Sequence, residues 1–391
     1  MKIAINNLKE IPKEFSNDFG LCVYGTPDNQ VSSWIEFHGF KTEKSGPCTN
    51  IYIDKDLSSI FISPKKYEYL DGFSPNLNKH LHIGHLSNLV LAKSFKALGV
   101  ADKTIAILGD TLSGEVSKGE ALEAFKKYCL NFDYKVDKIF MASDMKFEDD
   151  ILQDGSDEYA GTKCFNINGE KIVGIKSDGT TSYFYQDVAL ATMLNSSTLY
   201  LTGNEQNAHF KNLKAIFPMI DHVGLGLLKI NRGKMSSRIG NIITASDLLN
   251  FMMDMFDGNT KVVYNVFAGY ILKSVPKTDK NIDMNLLSNP LNSQGLYLSY
   301  TLAKLKSAGV VIETVDNFKS QELQFSMLKS QTLLSPNILF NSLVDLAKKI
   351  SGLYVTHKIK DNKDNNEMFK ILGSDLSFGM KKLGLFEVDN V

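Results

Sequence analysis

The pattern of apolar and polar positions changes period along this chain. Residues 1–67 read as short strands, with turns at Gly25-Thr26-Pro27-Asp28 and Lys44-Ser45-Gly46-Pro47. Residues 68–110 read as strand, loop, helix, strand. Leu86, Leu89, Val90, Ala97 and Leu98 recur at helical spacing, with Gly99 placed to end the helix. Thr104 to Leu108 reads as a buried strand, which completes a βαβ unit, the building block of a parallel nucleotide-binding sheet. Residues 115–130 predict an amphipathic helix and 184–194 another helix. Lys138 to Met141, Ile172 to Ile175, Ser197 to Thr202 and the apolar run Gly224 to Ile230 predict strands. From Ala245 onward the period is helical, with segments near 246–256, 261–272, 296–308, 321–334, 337–354 and 366–382. Ser246-Asp247 and Ser335-Pro336 are candidate caps, and Asp279 to Asn292 reads as a polar loop. The expected organisation is a short amino-terminal region over 1–67, a parallel-sheet α/β domain over 68–250, and an all-α bundle over 251–391.

Composition narrows this picture only a little. A chain of 391 residues can bury a large core, and 43% hydrophobic with 22% charged residues is ordinary globular composition. The net charge of −1 rules out a blanket nucleic-acid coat while leaving room for a local basic face. Candidates for such a face are Lys348, Lys349, Lys358, Lys360, Lys381 and Lys382, which a solvated surface explains equally well. The cysteines Cys22, Cys48, Cys129 and Cys164 form no C-x-x-C pair, which argues against a zinc ribbon. The amino terminus lacks a signal-peptide shape, and the apolar runs fall short of a membrane span. A reduced, soluble, cytoplasmic protein with no membrane partner is expected.

Candidate chemistry lies in three words. In the first, Ser74-Pro75-Asn76-Leu77-Asn78-Lys79-His80-Leu81-His82-Ile83-Gly84-His85, two histidines three apart share a face at the start of a helix. Gly84 lets a nucleotide ring approach the backbone, and the helix start offers free N–H groups to a phosphate. Two imidazole donors there can stabilise charge on the α-phosphate and departing pyrophosphate. The second word, Lys234-Met235-Ser236-Ser237-Arg238-Ile239-Gly240-Asn241, is a basic, glycine-flanked loop able to close over a triphosphate. Arg232 and Arg238, the chain's two arginines, flank Lys234, and their planar forks suit phosphate. The third places Tyr183 and Asp187 four apart on a helix, a reasonable seat for a cationic side chain. Alone, that spacing more often marks a helix-start tyrosine with a solvated aspartate.

Together the first two words resemble the H-I-G-H and K-M-S-K-S signatures of class I aminoacyl-tRNA synthetases. More narrowly, the chain resembles the arginyl-tRNA synthetase family over roughly residues 68–391. Ser74 to His85 is similar to the family's S-x-N-x-x-K-x-x-H-x-G-H, and Tyr183 with Asp187 matches its Tyr four before Asp. Gln206 and His209 match its Gln three before a His. Arg238-Ile239-Gly240-Asn241 matches R-x-G-N, and Tyr297 to Leu305 is similar to Y-V-Q-Y-A-H-A-R-I. Pro336, Leu343 to Tyr354 and Leu383-Gly384-Leu385 follow its C-terminal bundle. The resemblance implies a Rossmann-type parallel-sheet class I catalytic domain followed by an all-α, anticodon-binding-like bundle. It implies that Asp187 and Tyr183 hold the guanidinium of L-arginine, and that Ser74, Asn76 and Gln206, helped by Asp71, hold its α-amino and carboxylate end. It implies that His82, Gly84 and His85 bind ATP with its Mg2+, and that Lys234, Met235, Ser236 and Arg238 close over the phosphates without a metal cage in the protein.

The chain also departs from the family. Ser237 stands where the loop word has its second Lys, and Lys79, three before His82, sits where the family has a Lys that can serve instead. Of G-D-W-G-T-Q only Gly109-Asp110 is kept. The first 70 or so residues look unlike the family's tRNA-elbow domain, and the end at Asn390-Val391 omits its final R-M. The expectation is therefore a monomeric ligase that forms arginyl-adenylate and charges tRNA. The alternatives are a paralogue that passes activated arginine to an amine or peptide, and a catalytically silent binding protein.

Overall fold

The computed structural model describes residues 2–5, 8–10, 20–110, 117–146, 152–155, 159–231, 244–283, 287, 292–357, 359 and 363–388. They fall into two compact units, residues 66–295 and residues 1–65 joined with 296–391.

The first of these is built on five parallel strands in the spatial order Asp221–Leu225, Thr198–Gly203, Tyr67–Asp71, Ala101–Leu108, Lys138–Met141. The earliest strand is central, the next two lie on one side, and the last two on the other, so the order reverses between Tyr67–Asp71 and Thr198–Gly203. The helix Ile83–Ala97 makes the expected crossover. Leu86, Leu89, Val90 and Phe95 are buried on it, and Gly99 leaves it at φ 77°. Lys118–Asn131 starts from a reciprocal Ser117–Glu120 cap. Tyr183–Leu194 starts where Ser182 Oγ accepts from Tyr185 N and stops at left-handed Asn195. A small antiparallel sheet of Gln153–Asp154, Lys163–Ile167 and Glu170–Ile175 packs on this last helix through Phe165 and Phe184.

Several elements differ from the sequence reading. Gly224 to Ile230 is not one strand but two, Asp221–Leu225 and Leu228–Asn231, broken at Gly226. A side chain at Gly226 would collide with the Thr278 backbone, and its N–H bonds Pro276 O instead of a neighbouring strand. Leu228–Asn231 pairs in parallel with Lys280–Asp283, so the supposed polar loop contains a strand. Lys280 is buried there, giving its ammonium to the carbonyls of Val275, Pro276 and Thr278, and burial pulls its pKa down to about 8. Thr244, not Ser246-Asp247, caps the helix Ala245–Met255, with Asp247 reaching back to the Thr244 N–H. That helix and Thr260–Leu272 lie within the unit of residues 66–295, not with the later helices. Tyr264 packs on Phe132 with the ring planes tilted by 58° and carries the Lys93 ammonium 4.6 Å from its ring centroid.

In the second unit an antiparallel sheet, Lys9–Glu10, Gly20–Tyr24, Cys48–Tyr52, Lys41–Ser45, covers a core with Trp34, Ile51, Phe61 and Phe325. Thr26-Pro27-Asp28 starts a helix, Asn29–His38, in which Asp28 Oδ1 accepts from Val31 N. The helices Gln294–Ser307, Gln321–Thr332, Asn337–Thr356 and Lys363–Lys382 follow the helical segments read from the sequence. Tyr297 OH donates to Ser351 Oγ at 2.9 Å, and Asp375 accepts from the Lys319 and Ser320 N–H groups, tying these helices and their loops together. Lys348 is paired with Asp345 and Lys382 lies over the Phe378 ring, whereas Lys358 and Lys360 lie outside the described residues.

Candidate active site

A cavity of about 600 Å³ opens outside the carboxyl ends of Tyr67–Asp71 and Thr198–Gly203, where the strand order reverses. Doubly wound sheets bind ligands at this point because the loops from the two strands diverge there. Asp71, Ser74, Asn76, His82, Gly84 and His85 form one side of its lining. Tyr183, Asp187, Gln206 and His209 are on its wall as well.

At the helix start, His82 Nδ1 accepts from Gly84 N at 3.1 Å and His85 Nδ1 accepts from His82 N at 3.1 Å. The two rings stack with centroids 3.9 Å apart. Burial drives the His85 pKa down to about 3, with His82 beside it adding to the effect, and burial lowers that of His82 too. Both rings are therefore neutral near pH 7. With each Nδ1 accepting a backbone N–H, each proton sits on Nε2, so the pair presents two N–H donors beyond its own cap bonds. A side chain on Gly84 would come within 2.9 Å of the His82 ring. The glycine thus makes room for the histidine that caps the helix, a closer constraint than the nucleotide approach read from sequence.

Asp71 closes its strand and is buried at 5% exposure. Ser74 Oγ donates to Asp71 Oδ1 and accepts from Ile107 N at 3.0 Å. Burial pushes the Asp71 carboxyl up to about 7 despite the Ser74 bond, and the negative charge of Asp187 adds to the rise. Asn76 sits in a parallel bridge with Gly109, and a Cβ on Gly109 would land on Asn76 Oδ1. Gly109-Asp110 thereby has a structural reading. Gly109 admits the Asn76 amide, and Asp110 accepts from both Ser143 N and Oγ.

Tyr183 and Asp187 share one face of their helix, as the four-residue spacing requires. Tyr183 is exposed, while Asp187 is half-buried and bonded to His209 Nε2 at 2.7 Å. Gln206 ends a short turn before the helix Asn207–Ile216. Tyr200 was legible only as a strand residue. It lies fully buried on the cleft wall beside the two carboxylates, its hydroxyl without a hydrogen-bond partner among the described residues.

Lys79 is exposed and does not line the cleft. Lys234, Met235, Ser236 and Arg238 lie outside the described residues, but their flanks are placed. Leu225 to Leu228 line the cleft on one side, and on the other Thr244 bridges His82 while Ala245 N bonds Leu81 O at 2.8 Å. Among the described residues no group of three His, Cys, Asp or Glu side chains is arranged to hold a metal ion.

No family model matches the chain. It is similar to the arginine–tRNA ligase of Limosilactobacillus reuteri, 25% identical over 296 residues, which are 63% of this chain and 53% of that protein. The arginine–tRNA ligase of Treponema denticola is 27% identical over 266 residues, 55% of this chain and 44% of that protein. The chain thus spans about half the length of the curated relatives it matches. Among solved structures, arginyl-tRNA synthetase from Thermus thermophilus superposes with a TM-score of 0.68 at 13% identity, covering 98% of this chain and 96% of that one. The Plasmodium falciparum enzyme gives 0.63 at 16% identity, covering 98% and 94%. By sequence and by fold, this chain is a divergent relative of the arginyl-tRNA synthetases.

Proposed function

We propose that the chain activates L-arginine with ATP and transfers the arginyl group to tRNA. In this reading the arginine carboxylate attacks the α-phosphate and pyrophosphate leaves. A tRNA ribose hydroxyl then takes the arginyl group and AMP departs. The observation that carries the reading is one cleft, at the reversal of a parallel sheet, that holds a donor pair at one place and an acid-and-phenol face at another. His82 and His85 would meet the α-phosphate through Nε2–H, at the positive end of the helix dipole. Asp187 and Tyr183 would hold the guanidinium, and Asp71, Ser74, Asn76 and Gln206 the amino-acid end. Mg2+ would arrive on the triphosphate. Lys234, Met235, Ser236 and Arg238 would stabilise charge on the phosphates, a role supported by the described residues Leu225 to Leu228, which line the cleft, and Thr244, which bridges His82. Lys79, exposed and outside that lining, would join them from the loop before His82. The chain would work as a monomer in the cytoplasm. Among the described residues no helix is long and apolar enough to cross a membrane.

Pyrophosphate exchange with each amino acid, with and without total tRNA, tests the reading. Exchange should depend on arginine, with lysine and citrulline poor, and arginyl-tRNA should accumulate. Arginine-dependent exchange without any charged tRNA would assign the activated arginine to an amine or peptide acceptor. Absence of exchange with arginine under both conditions would refute activation itself.

A further inference from the structure

One of the acceptor sites of Asp187 is already taken. His209 Nε2 lies 2.7 Å from Asp187 Oδ2, and both side chains are largely shielded from water, at 24% and 17% exposure. A carboxylate oxygen only accepts, so the ring nitrogen donates. The imidazole is held in place by two further contacts. The Phe184 ring, on the same helix as Asp187, meets it edge-on with centroids 5.2 Å apart, and Phe210 does so at 5.0 Å. The two helices Tyr183–Leu194 and Asn207–Ile216 are thereby locked at the cleft with one acceptor site of the carboxylate taken.

We infer that His209 is a positioning residue that fixes the orientation of the Asp187 carboxylate toward a bound cationic side chain. This rests on the proposed arginine site and deepens it. A guanidinium carries five N–H donors in a rigid plane, and a carboxylate meets that fork well only when it is turned to match it. Recognition then depends on how the carboxylate is turned, which the His209 bond sets. Without that bond the carboxylate can turn about its Cβ–Cγ bond, and the orientation is lost even though the charge remains. Tyr183, four residues earlier on the same face, is the neighbouring group able to meet the rest of the fork.

Two variants of the intact chain separate positioning from packing. His209→Phe keeps an aromatic ring between Phe184 and Phe210 but removes the donor, whereas His209→Gln restores an N–H donor. Arginine and ATP dependence of pyrophosphate exchange would be measured for each, together with the melting temperature with and without arginine. His209→Phe should raise the arginine KM about ten-fold, the usual cost of losing a charge-assisted hydrogen bond. It should leave the ATP KM within about two-fold and shrink the arginine-induced rise in melting temperature. His209→Gln should recover most of both effects. An unchanged arginine KM in His209→Phe, equal rises in the arginine and ATP KM, or no recovery in His209→Gln overturns the inference while leaving the proposed function standing. A wild-type chain with no response to arginine overturns both.

Discussion

The Asp187 carboxylate decides the substrate in this reading. Asp187→Asn keeps the shape and the His209 contact but removes the charge. It should raise the arginine requirement at least ten-fold, about 1.4 kcal/mol, with the ATP requirement unchanged. Exchange kinetics that show the same arginine KM in the mutant would remove the basis for the assignment. Asp71 gives a second test at this scale. Its folded pKa of about 7 lies above the unfolded value of about 3.9. Between those values the folded chain holds a proton that the unfolded chain has released. This contribution to stability is therefore complete below about pH 4 and lost as pH rises through about 7, with a slope of at most about 1.4 kcal/mol per pH unit. His85, with its folded pKa lowered to about 3, acts in the opposite direction, losing stability as pH falls below about 6.5. Comparing Asp71→Asn with wild type cancels the histidine term. The ligand-free mutant should gain melting temperature relative to wild type at pH 8 and much less at pH 5. Equal differences at the two pH values would show that Asp71 is ionised in the folded chain.

Loops at the ends of the sheet strands bring side chains distant in sequence into one cleft. The bridge between Asn76 and Gly109 is one such join, with Leu77 N bonded to Gly109 O and Gly109 N to Pro75 O at 3.2 Å. It holds the Ser74 to Asn76 loop against the end of Ala101–Leu108, and it needs a residue without a side chain at 109. Gly109→Ala should displace the Asn76 amide and raise the arginine KM several-fold. A smaller effect on the ATP KM is expected, because the His82–His85 cap is anchored separately. Calorimetric binding of arginine and of ATP to the mutant measures the two effects apart, and parallel losses would count against a distinct amino-acid end. Much at this scale was readable in advance. The crossover helix, the strand Lys138–Met141 and the four helices after Gln294 follow from period and caps. The helix Asn29–His38 did not, because Thr26-Pro27-Asp28 serves equally as a turn or as a helix start. Only the burial of Val31 and Trp34 decides between them.

At the scale of the whole molecule, the ends of the chain share a core. Phe325 packs on Phe61 with ring centroids 5.8 Å apart, Lys329 Nζ donates to Leu8 O at 2.8 Å, and Trp34 is fully buried in the same cluster. Deleting residues 1–65 should therefore destabilise the helices of 296–391. Their melting transition should fall, and limited proteolysis should cut between Gln321 and Thr356 first. A deletion whose helical melting transition is unmoved would show the bundle to be self-sufficient. The same partition decides where the later helices can be separated from the cleft. A cut near Asp257 would remove Thr260–Leu272, whose Tyr264 and Phe267 are buried within the unit that holds the cleft. The division between units, 295/296, spares that helix.

The sequence by itself determined the βαβ start of the parallel sheet, the helical period of the last third, and the helix-face pairs. His82 with His85, and Tyr183 with Asp187, are local, three or four residues apart, so a helix cap places the first pair together and the helical repeat the second. Only the tertiary structure decided what lies between such pairs. His209 reaches Asp187 across 22 residues of chain. Asp71 and Tyr200 face one another across adjacent strands. Phe325, from the last 96 residues, packs into the core of the first 65. These contacts depend on strand order and on which apolar faces find each other. Local periodicity carries no record of either, because the same alternation fits many partners and only burial of the whole core selects one.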